Sequence, residues 1–316
     1  MIWNLDLSRL PKLALARSAR AAAARRNLQE QIAATRKFAN ELPEILPFSG
    51  PDLVMGCAFG YQIDAVRPFV ESLLGAGQFR GEAALFVRPE DTALAAYLKS
   101  VGLGVVSLDL NDFPILNPRR SRYLAYFKYL QHALERGRSY RCILLSDVRD
   151  VVFQRPLFER PCSELELHYE ADRPRLGECK VNSSWVKRQF GRETRDRLYY
   201  NRIACSGTTS GRMRGILHYL AEMKIMLLSL PLNLATGDQG VHNYLLHCGL
   251  LPEARALDNF ERVATLYYVP SEELHIDRNG HVVNPGGSVS EIVHQYDVHP
   301  HLRDAILESF KVGNGS

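Results

Sequence analysis

The 316-residue chain is expected to fold as an α/β protein, a mostly parallel sheet with helices on both faces. Two observations predict it. From residue 52 onward short uninterrupted apolar runs alternate with helical stretches, and strands buried on both faces read that way. The composition is ordinary for a globular protein, with 46% hydrophobic and 23% charged residues, and the chain is long enough to bury a core without a disulfide or metal staple.

Residues 12–40 come first. They hold no Gly or Pro, are rich in Ala, Arg and Gln, and stop before Pro43, which predicts a long helix. Its larger apolar contacts are Leu13, Leu28, Ile32 and Phe38. Such a helix can pack on the domain or on a second subunit; its basic face also suits the surface of an anionic membrane. Strands are then predicted over 53–58, 83–87, 104–108 and 142–145, with helices over 64–74, 91–101 and 122–135. This order is Rossmann-like, and ligands of such sheets bind beyond the carboxyl ends of the strands. Residues 1–45 therefore form a basic helical extension, and 50–312 one α/β domain with halves 50–155 and 156–312.

The net charge of +4 is unevenly placed. Residues 1–40 carry eight basic and two acidic side chains, so the remaining body is slightly acidic, which argues against nucleic acid as a partner. Arg9, Lys12, Arg17 and Arg20 interrupt every candidate signal-peptide block, and the longest apolar stretch, 225–235, is too short to span a bilayer. The six cysteines show no C-x-x-C pair and read as reduced thiols. The chain is expected to be cytoplasmic, with the leading helix a route to the inner face of the membrane or to self-association.

The most informative string is Ser146-Asp147-Val148-Arg149-Asp150-Val151-Val152-Phe153. An apolar strand runs into two aspartates three residues apart, and an apolar run resumes at once. Carboxylates in such a place need a counter-charge. Mg²⁺ or Mn²⁺ supplies one, being held by one or two carboxylates plus substrate phosphates. The alternative is a turn in which Asp147 caps the backbone and Asp150 pairs with Arg149.

In the order of these features the chain resembles a nucleotide-sugar-dependent glycosyltransferase of the A-type fold. Residues 146–153 resemble the D-x-x-D variant seen in collagen-modifying and related glucosyltransferase domains, and Val54-Met55-Gly56-Cys57-Ala58-Phe59-Gly60-Tyr61 resembles the first strand and the loop around the donor base. The likeness covers roughly residues 50–300, by motif order. It implies a nucleotide-sugar donor (a UDP-sugar first), a glycan-type acceptor, and Asp147 and Asp150 as holders of a metal-bound diphosphate. Phe59 and Tyr61 would meet the donor base. Arg122, chosen over Arg119 and Arg120 because Tyr123 and Tyr126 mark a packed face beside it, would reach phosphate or ribose; the other two arginines read as solvent-facing.

Three later strings complete the expected site. Residues 201–211 read as a short apolar segment entering a small-residue loop, and the likeness implies that Ser206 and Gly207 lie under the donor sugar; a helix cap at Ser210 explains the loop equally well. In Gly237-Asp238-Gln239, the likeness has Asp238 orienting the acceptor hydroxyl or acting as base, and Gln239 polarising the sugar; the alternative is a helix N-cap. His242 reads as a packing residue. His294 follows a short apolar strand and is the expected third metal ligand, whereas His299 and His301 look loop-like. Residues 157–200 are polar and weakly periodic, so Trp185 is placed on a polar loop, half-buried or free to stack on an acceptor sugar.

Two other classes stay open. A non-catalytic nucleotide-sugar-binding or scaffold protein would carry the same residues. Phosphatases of the haloacid-dehalogenase type also place acids after a strand, but they need D-x-D, and Arg149 stands where the second acid would be.

Overall fold

The computed structural model describes residues 19–43, 49–115, 117–234 and 237–311. Helix α1 (Ala19–Asn40) opens the described chain; the expected start at residue 12 lies outside it. The first half then runs β1 (Leu53–Cys57), α2 (Ile63–Leu74), β2 (Glu82–Val87), α3 (Thr92–Ser100), β3 (Gly104–Ser107), α4 (Pro118–Glu135) and β4 (Ile143–Ser146). The second half contains β5 (Val151–Phe153), β6 (Leu165–Tyr169), α5 (Lys180–Arg197), β7 (Ala204–Gly211), α6 (Met213–Ser229) and α7 (Gln239–His247). It closes with β8 (Ala254–Leu257), β9 (Val263–Thr265), β10 (His275–Ile276), β11 (Val282–Val283), β12 (Ile292–His294) and α8 (Pro300–Ser309).

Seven strands form the main sheet in the order β3-β2-β1-β4-β7-β6-β8. All neighbours are parallel except β7, which runs antiparallel to both β4 and β6. Alternation along the strands splits the core between two faces. Leu53, Met55, Ile143 and Leu145 face α4 and α6, while Val54 and Leu144 face the side of α2 and α3. This is the expected α/β architecture, with one reversed strand, β7, inside the sheet.

Helix α1 lies against α6. Leu28 and Thr35 are buried there, and Phe38 sets its ring edge-on to Phe127 of α4 at 5.2 Å. The larger apolar side chains of α1 are thus turned to the body, and Arg25, Arg26, Arg36 and Lys37 face solvent. Among the described residues no helix is long and apolar enough to cross a membrane.

Three expectations are corrected. Residues 157–200 are not a polar loop: they contain β6 and the whole of α5, and Trp185 stands on that helix. Periodicity was hidden because α5 buries Asn182, Ser183 and Gln189 alongside Val186. Residues 204–211 are one strand, not a loop, so Ser206 and Gly207 belong to the sheet; Ser210 donates to Glu166 Oε2 at 3.0 Å instead of capping a helix. Arg120 is not solvent-facing. It is 0% exposed and donates to the carbonyls of Leu227, Pro231, Leu232 and Leu234 at 3.1–3.3 Å.

A second, three-stranded sheet meets the main one at the two expected aspartates. Its order is β5-β12-β9, with β12 antiparallel to β5 and parallel to β9. The chain leaves the main sheet at Ser146 and enters the small one at Val151, so Asp147 and Asp150 occupy the junction.

Candidate functional site

Register brings the expected ligands together. Ser146 pairs with Thr208 across β4 and β7, and the next residue, Asp147, donates its N–H to Gly207 O at 2.7 Å. In the small sheet His294 pairs with Val151, and Gln295 N donates to Asp150 O at 2.8 Å. Two sheets therefore deliver Asp147 from one side, and Asp150 and His294 from the other. His294 Nε2 stands 3.5 Å from Asp147 Oδ2 and 3.8 Å from Asp150 Oδ1. One ligand atom from each of the three side chains falls within 4.8 Å of the others.

Gly207 makes this closeness possible. A β-carbon there would collide with His294 Cε1 and stand 2.8 Å from both Asp147 Oδ2 and His294 Nε2. Non-bonded atoms do not sit that close, so the position has no room for a side chain.

The three side chains are strongly coupled electrostatically. His294 is 1% exposed, and among the described residues its Nε2 makes no hydrogen bond of normal geometry. Burial opposes its imidazolium, yet Cys205, whose sulfur lies 3.5 Å from Nδ1, and the two aspartates hold its pKa well above the ordinary value. Asp147 is also partly desolvated, but Arg122 and His294 keep its carboxyl well below the usual range. Burial pushes Asp150 the other way, upward, helped by the neighbouring Asp147 and relieved by His294. The Arg149 alternative is present but loose: its guanidinium is 3.7 Å from Asp150 and nearer, at 3.0 Å, to Asp297.

Arg122 links this cluster to the second expected centre. One guanidinium nitrogen bonds Asp147 Oδ1, and the other donates to Asp238 Oδ2 at 2.7 Å and to Ser206 O at 3.3 Å. Helix α4 can place it because Asn117 caps the first turn, accepting from Arg119 N at 3.0 Å, with Pro118 opening the helix. Asp238 precedes α7 but forms no side-chain cap bond, so its carboxylate is committed to Arg122 and the cleft. Gln239, first residue of that helix, is held by Ser206, Asn182 and Glu170.

The three clustered side chains, Arg122, Asp238 and Gln239 line one cleft of about 500 Å³. The ten residues expected from the sequence line it: Phe59, Tyr61, Arg122, Asp147, Asp150, Ser206, Gly207, Asp238, Gln239 and His294. Its volume is that of a typical small-molecule site. No family model matches the chain, and no curated protein sequence matches it.

Sequence reasoning missed three contributors. Cys205 backs His294, and Tyr267 forms part of the cleft wall while remaining 54% exposed. Glu170 lies behind Gln239. It ends a period-two pattern, Leu165-Glu166-Leu167-His168-Tyr169-Glu170, whose alternation normally means polar residues facing water; here Glu166, His168 and Glu170 are all buried. His242 packs as expected, with Tyr219 Oη 2.8 Å from its Nδ1, and His299 sits between Ser271 Oγ and Leu266 O. Asn182, part of an apparent glycosylation sequon, is buried and bonded to Gln239.

Proposed function

We propose that the protein is a divalent-metal-dependent glycosyltransferase that moves a sugar from a nucleotide-diphosphate donor, a UDP-sugar first, to a hydroxyl of a glycan-type acceptor. The observation that carries this reading is the convergence of Asp147, Asp150 and His294 at the junction of two sheets, on the floor of an open cleft. Two carboxylates and an imidazole suit Mn²⁺ or Mg²⁺. The unbonded Nε2 of His294 and the absence of room at Gly207 fit a cation held there. When bound, that ion neutralises charge growing on the departing diphosphate.

The chain's own residues divide the remaining work. Arg122 presents a fixed guanidinium between the metal side and the acceptor side, where a leaving diphosphate acquires charge. A preorganised donor at such a place is worth about 10²–10³ in rate. Phe59 and Tyr61 offer aromatic surface at the end nearest β1, suited to a nucleobase. Asp238, on the far side of Arg122, is an acceptor for an incoming hydroxyl and orients it for attack. Trp185 and Tyr267 give that end two aromatic walls against which a sugar ring can stack.

The test is release of free nucleotide from UDP-, GDP- and CMP-sugars, with and without Mn²⁺. Turnover should require the ion, and Asp150→Ala should lower it about a hundredfold or more while the fold survives. Binding without release would point to the scaffold alternative; near-normal turnover by Asp150→Ala would overturn the metal assignment.

A further inference from the structure

We infer that Glu170 is a positioning residue that acts through Gln239, locking its side-chain amide so that a hydrogen-bond acceptor, not a donor, is what Gln239 offers the cleft. Gln239 Nε2 donates to Glu170 Oε1 and to Asn182 Oδ1, both at 3.0 Å, which uses both of its hydrogens. Its Oε1 accepts from Ser206 N at 3.3 Å, and the Ser206 hydroxyl, with one hydrogen to give, donates at 3.4 Å either to this oxygen or to Asp238 Oδ1. A backbone N–H can only donate and a carboxylate can only accept, so the amide is oriented from both ends. A flip would put two donors, and two acceptors, face to face.

Besides Gln239, the carboxylate has the Cys205 thiol as a polar neighbour and feels the charge of His294. Glu170 is 3% exposed, does not line the cleft, and forms no ion pair with a basic side chain among the described residues. An uncompensated buried carboxylate is unfavourable, and burial lifts its pKa to about 7, the bond from Gln239 pulling the other way. Its backbone is equally fixed, with Glu170 N donating to Ile203 O at 2.9 Å and Glu170 O accepting from Asn259 Nδ2 at 2.6 Å.

The consequence is chemical selectivity. The group that meets Gln239 must bring a hydrogen, as a sugar hydroxyl does and a phosphate or carbonyl oxygen does not. That Gln239 meets a sugar hydroxyl rests on the proposed function; the orientation of the amide does not.

The test separates the two. In ¹⁵N-labelled full-length protein at pH 8, without ligand, the Gln239 side-chain amide is followed by NMR, assigned by its loss in Gln239→Leu. Glu170→Gln, nearly isosteric, should shift those resonances and speed their hydrogen exchange about tenfold, as expected for loss of a charge-assisted bond, with backbone amides of β6 and α7 unchanged. Asn182→Ala, which removes the neutral partner, should move them less. Should Glu170→Gln fail to fold, Glu170→Asp, which draws the charge back by one methylene, is expected to act in the same direction. Unmoved Gln239 signals in these Glu170 variants, or a larger effect from Asn182→Ala, overturns the inference. Under the proposed function, Glu170→Gln should also lower kcat for nucleotide release about tenfold with little change in KM for the donor. If the amide responds as expected but wild-type protein turns over no nucleotide sugar, the proposed function fails and the positioning role stands.

Discussion

Gly207→Ala adds one methyl group at the point where the proposed cation site is tightest. The new β-carbon would collide with His294 Cε1 and stand 2.8 Å from His294 Nε2 and Asp147 Oδ2. Neither neighbour yields easily. His294 is enclosed, with Cys205 behind its ring, and Asp147 is held by Arg122. The backbone at Gly207 is not in the left-handed region, so the effect is steric and falls on these two side chains. Overpacking of this kind costs about 1–3 kcal/mol of stability. Misplacing ligands, even without deleting one, lowers metal affinity about 10–100-fold. Calorimetric titration with Mn²⁺ reads the affinity, and chemical denaturation reads the stability. Ser206→Ala is the control, because its hydroxyl faces Asp238 and Gln239 rather than the cluster, and its Mn²⁺ affinity should be unchanged. If Gly207→Ala binds Mn²⁺ as tightly as the wild type, the three side chains do not form one site.

Three further perturbations probe other parts of the same framework. Arg120→Met leaves four interior carbonyls without their shared donor, and should lower unfolding free energy by about 3–5 kcal/mol in urea titrations; a change near zero refutes its structural role. Arg122→Gln should lower nucleotide release about 10²–10³-fold while Mn²⁺ alone binds at least as well, because Asp147 loses a competing cation; loss of Mn²⁺ binding would contradict this. Glu170→Gln should change stability in a pH-dependent way. The carboxyl titrates near 7 in the folded protein and near its ordinary 4.5 when unfolded, so between those values the native state binds more protons and wild-type stability falls as pH rises. The variant should therefore match wild type below about pH 4.5 and gain on it up to pH 7, the gap approaching about 3 kcal/mol above that; a gap independent of pH refutes it.

Much of the fold was legible because its strands are buried on both faces. Continuous apolar runs such as Leu53-Val54-Met55 cannot be satisfied at a surface, and they marked β1, β2 and β4 to within a residue or two. The second half was harder for a physical reason. Strand β7 is built from Ala204-Cys205-Ser206-Gly207-Thr208-Thr209-Ser210-Gly211, small and polar residues that read as a loop, yet Thr208, Thr209 and Ser210 are buried between β4 and β6. Its glycines tell the same story from the other side: a β-carbon at Gly211 would press on Glu164 and Leu165 of the neighbouring segment. Close packing of chain against chain selected these residues, and hydropathy does not register it.

The site was legible for a different reason, which also accounts for its spacing. Asp147 is anchored to the main sheet through Gly207 O, and Asp150 to the small sheet through Gln295 N. Four residues, 147–150, separate the end of β4 from the start of β5, and the two aspartates are the first and last of them, so each carboxylate is set by a different sheet. A D-x-D spacing would put the second acid at Arg149, whose side chain here points to Asp297 at the rim. His294 completes the cluster only because β12 runs antiparallel to β5 in the register that sets it opposite Val151. What the linear order of residues could not convey is that Arg122, from a helix before both aspartates, would hold Asp147 with one nitrogen and Asp238 with the other. Two carboxylates that far apart in sequence share one guanidinium, so a ligand that draws Arg122 toward itself must alter both ends of the cleft together.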